Sequence, residues 1–240
     1  MAKENPTRQE RKSWRTILRL LGYGGVAAIA VLVVWHFVWK YSGSNQWELL
    51  RDEKGIKIYS RKVPGVAQKD FKAISRVDLS LNGVVAAFAA TDTPACAEWF
   101  RGCVSAQTIQ PWNSRDLSYI NMWRMPFPAP FSPREVLIKE QVSQDPQSKV
   151  VLVMFQALPD AVPRNKCCFR VPYYGNSWRF TPVGNGVLEV EFIMHPDAGI
   201  PYPMVNMAMP KSLYRMFIRM PKLLKQDKWQ HTRFDRIQEQ

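Results

Sequence analysis

The chain has 240 residues, of which 46% are hydrophobic and 22% charged, and its formal net charge is +13. Residues 1–19 contribute +4 and residues 211–240 contribute +5, so the long middle of the chain is close to neutral. No Arg-rich strand or basic recognition helix occurs there, which argues against nucleic acid as a partner. The charged ends favour contact with an anionic membrane surface; a simply solvated surface is the alternative.

An uninterrupted apolar segment, residues 20–39, is the first element that the sequence predicts. It holds no acidic residue, lysine or arginine, and it lies between Arg19 and Lys40. As a helix it is about 30 Å long, which is the thickness of the hydrocarbon core of a membrane. Aromatic residues occupy the C-terminal end of the segment, as is typical of positions at the level of the lipid headgroups. We predict a transmembrane anchor, preceded by a basic tail (residues 1–19) and followed by a short linker (residues 40–46).

A cleaved secretory signal is the alternative to a retained anchor. The apolar core of such a signal has about 7–15 residues and precedes a cleavage motif of the Ala-x-Ala type. Here the segment is longer and no such motif follows it, so an uncleaved single-pass anchor is favoured. Six basic residues precede the segment and four follow it within residues 40–57. This bias predicts a cytoplasmic N-terminus and a domain on the periplasmic or exterior side; cleavage would give a secreted or periplasmic protein.

Four cysteines leave the redox state of the domain open. Cys167 and Cys168 are adjacent, and a disulfide between neighbours requires strained geometry. Cys96 and Cys103 have no histidine or cysteine partner at the spacing of zinc ligands. We expect buried, unreactive thiols, with a Cys96–Cys103 disulfide as the alternative in an oxidising compartment.

Beyond the anchor, apolar and polar residues alternate with a period of two, which predicts antiparallel strands with one face in water. The predicted strands are residues 55–62, 69–80, 103–110, 116–124, 134–142, 150–158, 169–182 and 187–195. Short helices are predicted at residues 83–90 and 94–100. The length of this region suits one domain.

The last periodic segment is different, because its apolar residues recur at helical spacing from Met204 onward while lysine and arginine occupy the other positions. This pattern predicts an amphipathic helix of about 20 residues. Pro210 and Pro221 are each expected to bend or break it. We expect the helix to pack on the sheet, and lying on a membrane surface is a second role that does not exclude the first. Residues 226–240 form a basic C-terminal tail.

Five stretches of the chain, in order, resemble a known family. They are residues 47–63 (WELLRDEKGIKIYSRKV), Thr91-Asp92 with Trp99, residues 116–135 (DLSYINMWRMPFPAPFSPRE), Phe169-Arg170 with Trp178, and residues 195–206 (HPDAGIPYPMVN). Together they resemble the START, or StAR-related lipid-transfer, domain over residues 47–225. The resemblance implies an α+β helix-grip fold of the START or Bet v 1 type, in which a curved antiparallel sheet is wrapped around the long C-terminal helix. Here one transmembrane helix precedes it, and we expect the protein to be bacterial.

The resemblance implies a cavity that holds one lipid behind the C-terminal helix. Moving a sixteen-carbon chain into water costs about 13 kcal/mol, at about 0.8 kcal/mol per methylene, and a dry cavity removes most of that cost. We expect a membrane-anchored lipid carrier that binds a sterol, a phospholipid or another amphiphile, with a protein acceptor as a further partner. No cofactor, metal or catalytic residue is expected.

Two other classes of function stay open. A lipid-responsive membrane sensor or adaptor would bind the same cargo without moving it. An enzyme of the cyclase or hydrolase type is the third hypothesis, with His195 and Asp197 as an acid–base pair.

Alternation along the strands selects the residues that face the hollow. The apolar stripe of the C-terminal helix completes the lining. The predicted lipid-binding residues are Tyr119, Asn121, Trp123, Ile138, Glu140, Phe192, Met194, Leu213, Met216 and Phe217.

Glu140 is a carboxylate among aliphatic neighbours, so it needs a partner. Sterol-binding relatives in the family place an acidic residue and an arginine on adjacent strands in the cavity, and the similar places here are Asn121 and Glu140. We expect these two, aided by Tyr119, to bind a hydroxyl, an amine or a choline-like head; the alternative is that Glu140 faces solvent. Arg134 is expected to be an ion-paired structural residue, with a headgroup ligand as the alternative.

Two loops are expected to border the cavity. The proline-rich segment, residues 126–133, lacks backbone donors at four places and cannot be a central strand. It therefore predicts a loop near the cavity mouth. Gly199, Ile200 and Pro201 precede the last helix and predict either a hinge for a lid or a rigid turn.

Overall fold

The computed structural model describes residues 8–90, 93–99, 103–127, 129–197 and 199–239. The helices in these ranges are α1 (Arg8–Tyr41), α2 (Leu81–Ala89), α3 (Thr93–Trp99), α4 (Tyr202–Leu224) and α5 (Asp227–Gln230). The strands are β1 (Trp47–Glu53), β2 (Ile56–Arg61), β3 (Asp70–Asp78), β4 (Ser105–Asn113), β5 (Ser118–Met125), β6 (Arg134–Gln144), β7 (Val151–Ala157), β8 (Phe169–Arg170), β9 (Gly175–Pro182) and β10 (Val187–His195).

One sheet contains all of these strands, in the order β1–β2–β3–β10–β9–β7–β6–β5–β4, and β8 pairs in parallel with β6. Every other pair is antiparallel, as the period-two alternation predicts. Helix α4 packs on the sheet through buried residues that include Leu213, Phe217 and Leu224. The predicted α+β fold, a curved antiparallel sheet gripping the C-terminal helix after a long apolar N-terminal helix, is confirmed.

Three elements differ from the predicted ones. Residues 169–182 form two strands, β8 and β9, and Pro172 lies in the gap, where it has no N–H for a ladder hydrogen bond. The edge strand β1 was not predicted because nearly all its residues are exposed and charged groups crowd it. Helix α4 continues through Pro210 and Pro221, so the expected break is absent. Tertiary packing along its buried face outweighs the lost hydrogen bonds.

The expectation of free thiols is wrong. Cys96 and Cys103 form one disulfide, and Cys167 and Cys168 form another. Helix α3 packs beside β4, which brings the Cα atoms of Cys96 and Cys103 to 5.9 Å. This proximity depends on tertiary packing, so sequence spacing alone left it open.

The C-terminal segment packs against the start of α2. Carboxylate oxygens of Glu239 accept hydrogen bonds from the backbone N–H groups of Leu81 and Asn82, both at 2.9 Å. These N–H groups have no partner within the helix, and a negative charge is favourable at a helix N-terminus. Ile237 is buried beside them. The segment therefore closes this end of the domain.

Candidate functional site

A row of inward side chains crosses five neighbouring strands. Tyr119 is paired with Glu140, Glu140 with Phe155, Phe155 with Asn176, and Asn176 with Met194. Because all of them have the inward parity of their strands, they lie side by side on the concave face. The row thus introduces three polar groups into an apolar interior.

Three adjoining chambers occupy the space between the sheet and α4. The inner chamber has 20 Å³, the outer chamber 410 Å³ and the side chamber 310 Å³. Tyr174 and Asn176 line all three, so the chambers meet at these two residues. The outer chamber opens between the proline-rich loop, represented by Phe127 and Phe131, and the first turns of α4. The interior is therefore a branched hollow with one deep polar end.

Glu140 forms that polar end. It is fully buried, so the alternative that it faces solvent is excluded. The Tyr119 hydroxyl donates a hydrogen bond to Glu140 Oε2 at 2.6 Å. Burial raises the pKa of Glu140 well above its usual range, and the bond from Tyr119 offsets this only in part. Burial also raises the pKa of Tyr119. The site therefore favours the neutral carboxylic acid.

Two buried oxygen atoms at this end have no hydrogen-bond partner among the described residues: Glu140 Oε1, which carries the proton when the carboxyl group is neutral, and the acceptor Asn176 Oδ1. Leaving such an atom unpaired costs about 1–3 kcal/mol. Both atoms border the inner chamber, whose volume accommodates about one water-sized group. A hydroxyl group suits the position, since it can both donate and accept a hydrogen bond.

Most of the predicted lining residues border these chambers, and three do not. The inner chamber includes Tyr119, Trp123, Glu140 and Phe192, while Met194, Leu213 and Met216 border the side chamber. Asn121 and Ile138 are fully buried, opposite each other on β5 and β6, and outside the three chambers. Asn121 Oδ1 accepts a hydrogen bond from the backbone of Met122. Phe217 instead stacks on Trp178, with ring centroids 5.8 Å apart.

Sequence reasoning missed Tyr174 and Asn176, the two residues common to all chambers. Asn176 has the same parity as Trp178 and Phe180, which are buried, so a polar residue in this apolar series was a usable signal. Tyr174 lies in the gap between β8 and β9, where no periodicity applies. Burial raises the pKa of Tyr174, and a hydrogen bond with the Asn176 side chain offsets this in part.

Arg134, at the start of β6, makes structural contacts with two loops. Arg134 is buried, donates hydrogen bonds to the carbonyl oxygens of Ser132 and Gly199, and contacts the rings of Phe127 and Phe169. Arg134 therefore ties the proline-rich loop to the turn before α4.

Glu135 is the centre of a buried ionic cluster. Its carboxylate lies 3.0 Å from Arg124 Nη2 and 3.1 Å from Arg170 Nη2. The sulfur atoms of Cys167 and Cys168 are close enough to Glu135 to suggest a metal site. However, the two sulfurs are bonded to each other and the carboxylate is paired with two arginines, so this set does not fit a metal ion.

The expected pair of His195 and Asp197 is also corrected. His195 Nδ1 lies 2.6 Å from Asp70 Oδ1, and Arg61 Nη2 lies 2.8 Å from Asp70 Oδ2. Asp197 instead accepts a hydrogen bond from the backbone N–H of Gly199. Because β3 and β10 are neighbours, their ends bring Asp70 and His195 together.

Replacing Asp70 with asparagine is expected to lower the free energy of unfolding by about 1–3 kcal/mol at neutral pH. Burial would raise the pKa of Asp70, but hydrogen bonds from His195 and Arg61 outweigh it and lower the pKa. The stabilisation is therefore present above the unfolded-state pKa of about 4 and is lost as the pH falls through the lower folded-state pKa.

Urea unfolding of the full chain in detergent micelles tests this at pH 7 and at about pH 2. The difference between parent and Asp70→Asn should shrink at the lower pH. Asp52→Asn, in an exposed pair with Lys57, is the matched control and should change stability little. An equal loss at both pH values would contradict the prediction.

An apolar hollow between a curved antiparallel sheet and a long C-terminal helix defines the class of helix-grip proteins. A family model of the START domain matches residues 40–230. The chain belongs to the START-domain family, as the five stretches of sequence predicted.

Solved structures with the same fold include lipid-transfer proteins. A STAR-related lipid transfer protein from Xanthomonas axonopodis has a TM-score of 0.66 and 21% identity over 75% of this chain and 99% of that one. Human StAR-related lipid transfer protein 5 has a TM-score of 0.60 and 16% identity over 84% of this chain and 97% of that one. An uncharacterized Pseudomonas aeruginosa protein, PA1579, is 23% identical over 156 residues, 65% of this chain and 74% of its own length.

Proposed function

We propose that this chain holds one amphiphilic lipid in the hollow and exchanges it with the membrane that holds α1. The observation that carries the proposal is a pair of buried oxygen atoms, Glu140 Oε1 and Asn176 Oδ1, that have no partner within the described part of the chain and lie at the deep end of an apolar interior. The outer and side chambers, of 410 and 310 Å³, are in the range of about 300–1,000 Å³ that is typical of ligand sites. Membership of the START-domain family supports lipid binding.

The polar group that reaches Glu140 is proposed to be a hydroxyl. A chamber of 20 Å³ suits a group the size of one water molecule, whereas a choline-like head is several times larger. Burial favours a neutral carboxyl group, which binds a hydroxyl without needing a cationic partner. Rings of Trp123, Trp178 and Phe192 would then surround the apolar body of the ligand. A sterol-like alcohol fits this arrangement better than a phospholipid headgroup.

Helix α1 is proposed to be the membrane anchor. Residues Ile17–Tyr41 form a 25-residue helical stretch whose most apolar 18-residue window has a mean hydropathy of 2.2, and none of that window is buried against the domain. Its length and composition are sufficient to cross a membrane; a signal sequence has the same features. The two disulfides support a domain in the periplasm or outside the cell, with a cytoplasmic N-terminus. Exposed lysines and arginines of α4 would face anionic lipid headgroups.

The gate is proposed to consist of the first turns of α4 and the proline-rich loop. Gly199 adopts a φ of +64°, and its carbonyl accepts a hydrogen bond from Arg134 at 3.1 Å. A Cβ atom at Gly199 would lie 2.7 Å from the ring of Phe169. These contacts support a rigid turn rather than a hinge at this position. Opening would therefore involve α4 beyond the turn and the loop across from it.

The decisive experiment removes the polar end of the hollow. Replacing Tyr119 with phenylalanine and Glu140 with leucine together deletes the hydrogen-bonded pair without leaving one partner unpaired. Binding of a fluorescent sterol with one hydroxyl should weaken by about 10- to 100-fold, the equivalent of a hydrogen bond of 1–3 kcal/mol. Binding of its analogue without the hydroxyl should be unchanged. Lys139→Leu, next to Glu140 on the opposite face of β6, is the control.

Equal affinity of parent and double variant for the hydroxylated probe would contradict the proposed role of Glu140. Mass spectrometry of lipids that co-purify with the full chain identifies the natural cargo independently. Transfer between two vesicle populations then separates the remaining functions: a carrier accelerates it, whereas a sensor binds without doing so. The proposal includes no covalent step, so added lipid esters should be recovered intact.

A further inference from the structure

The end of α1 is fastened to the domain by a buried lysine. Lys62, only 9% exposed, directs its ammonium group to the carbonyl oxygens of Lys40 at 3.0 Å and Ser42 at 3.2 Å. Carbonyls at the end of a helix lack partners within the helix and are favoured by positive charge. The backbone N–H of Gly65 donates to the Lys40 carbonyl as well, at 2.8 Å. The loop after β2 thus caps the end of the apolar helix.

An aromatic contact joins the same helix end to the beginning of α4. The indole N–H of Trp39 donates to the carbonyl of Ala67 at 2.7 Å, and its ring stacks on Tyr202, with centroids 5.8 Å apart and planes 7° apart. The ring of His36, one turn earlier, is also 5.8 Å from Tyr202. The first residue of α4 therefore lies at the height of the last turn of the apolar segment. These contacts, with those of Lys62, are termed the junction.

The junction lies beside the mouth of the outer chamber. Ile200 and Met204, on either side of Tyr202 in the chain, both line that chamber. Exposed apolar side chains surround this place: Met204 is 48% exposed, Met207 80% and Val66 46%. Farther along the exposed side of α4, the residues become basic, beginning with Lys211. Apolar groups next to the span and basic groups beyond it match the order of hydrocarbon and anionic headgroups in a leaflet.

We infer that the junction holds the mouth of the outer chamber against the leaflet in which the end of α1 is embedded. Lipid then passes between that leaflet and the hollow without crossing water, and the domain does not leave its own membrane to load. This inference rests on the proposed lipid-binding function and on α1 as a retained anchor. The exposed apolar surface formed by Met204, Met207 and Val66 is covered by the surrounding leaflet. This follows because α1 ends beside that surface and Tyr202 contacts the last turn of α1.

The first test measures the depth of two positions on α4. Met207→Cys and Ile218→Cys are each labelled with a nitroxide in the full chain, reconstituted in vesicles of phosphatidylcholine and phosphatidylglycerol. All four natural cysteines are paired in disulfides, so labelling without reductant is selective. Ile218 is also exposed, but it lies beside the β1–β2 turn, at the opposite end of β2 from Lys62. The two positions are about 16 Å apart along the helix.

We expect the Met207 label to collide mainly with oxygen dissolved in the bilayer and the Ile218 label mainly with a nickel chelate in water. A Met207 label that is accessible chiefly to the chelate overturns the inference, whatever the Ile218 label shows.

The second test loosens the junction and measures loading. One variant combines Trp39→Leu, Lys62→Met and a flexible Gly-Ser insertion after Ser44; a control carries the insertion alone and keeps the junction contacts. The probe is dehydroergosterol in the bilayer that holds the protein, detected by energy transfer from tryptophans of the hollow. Loading by the loosened variant should be about tenfold slower, because the mouth no longer stays at the leaflet.

Equilibrium binding in detergent micelles distinguishes failure of this inference from failure of the proposed lipid-binding function. Equal saturation of parent and loosened variant in micelles, with slower loading from the bilayer, supports the inference. Equal loading rates overturn it and leave the proposed function intact. A parent chain that binds no probe in micelles would instead contradict the proposed function. If the loosened variant does not fold, the depth measurement decides alone.

Discussion

Replacing Glu135 with glutamine is expected to destabilise the domain by about 3–5 kcal/mol, since it removes the negative charge that pairs with buried Arg170. The side chains of Glu135 and Arg170 are 0% and 2% exposed, and their closest charged atoms are 3.1 Å apart. Arg170 also donates to the backbone carbonyls of Pro159, Val162 and Pro163, so it cannot move out to water without breaking that loop. Denaturant unfolding of the full chain in micelles measures the loss.

The matched control for this prediction is Glu189→Gln. Glu189 makes an ion pair with Arg76 at 3.1 Å, but both side chains are well exposed, so the same substitution should cost about 0–1 kcal/mol. Burial would raise the pKa of Glu135, yet hydrogen bonds from Arg124, Arg170 and Asn165 lower it overall. The stabilisation of the fold by ionised Glu135 is thus present above about pH 4.3, and it is lost as the pH falls through the lower folded-state pKa. Equal losses for the two variants would refute the prediction.

The second large effect is expected for Trp178→Ala, which should lower the free energy of unfolding by about 3–5 kcal/mol. Trp178 is 3% exposed and contacts Phe192 at a centroid distance of 4.3 Å, Phe217 at 5.8 Å and Phe88 at 5.7 Å. Its ring therefore connects the sheet with α2 and α4. Truncation removes these contacts and leaves a cavity next to the inner chamber, so both the stability of the domain and the shape of that chamber should change.

Guanidinium unfolding followed by near-ultraviolet circular dichroism measures this loss. Tyr173→Ala, an aromatic truncation five residues away at a side chain that is 53% exposed, is the control and should cost about 1 kcal/mol or less. A Trp178→Ala variant as stable as the control would mean that the aromatic cluster does not support the fold. A variant that unfolds as predicted but binds the fluorescent sterol unchanged would place the ligand away from Trp178.

The two buried glutamates, Glu135 and Glu140, differ in how completely the protein satisfies them. Around Glu135, every charge has a partner, which is the arrangement of a structural ion pair. Around Glu140, one oxygen is hydrogen-bonded, the other has no partner among the residues that the structure describes, and the inner chamber lies beside it. The first arrangement is complete within the protein, whereas the second leaves an atom that the proposed ligand would satisfy. This contrast supports the proposed ligand-binding role of Glu140 and a structural role for Glu135.

The local sequence pattern was sufficient to locate the strands and helices that bury one face and expose the other. The period-two alternation located β10 at its observed bounds and put Tyr119, Trp123 and Glu140 on the inner face. The helical period located α4, and the run of apolar residues located the long helix α1. In each case, neighbouring residues along the chain already carry the signal, because a strand or helix buries one face and exposes the other.

Only the tertiary structure decided what depends on distant segments meeting. The pairing of strand ends gave His195 the partner Asp70, and the packing of α3 beside β4 closed the Cys96–Cys103 disulfide. Register across β6, β7 and β9 placed Asn176 in line with Glu140, so that two polar residues from separate strands border the inner chamber. No local period encodes such contacts, because they depend on how the sheet curves around α4. The polar end of the hollow is therefore a property of the whole sheet rather than of any one strand.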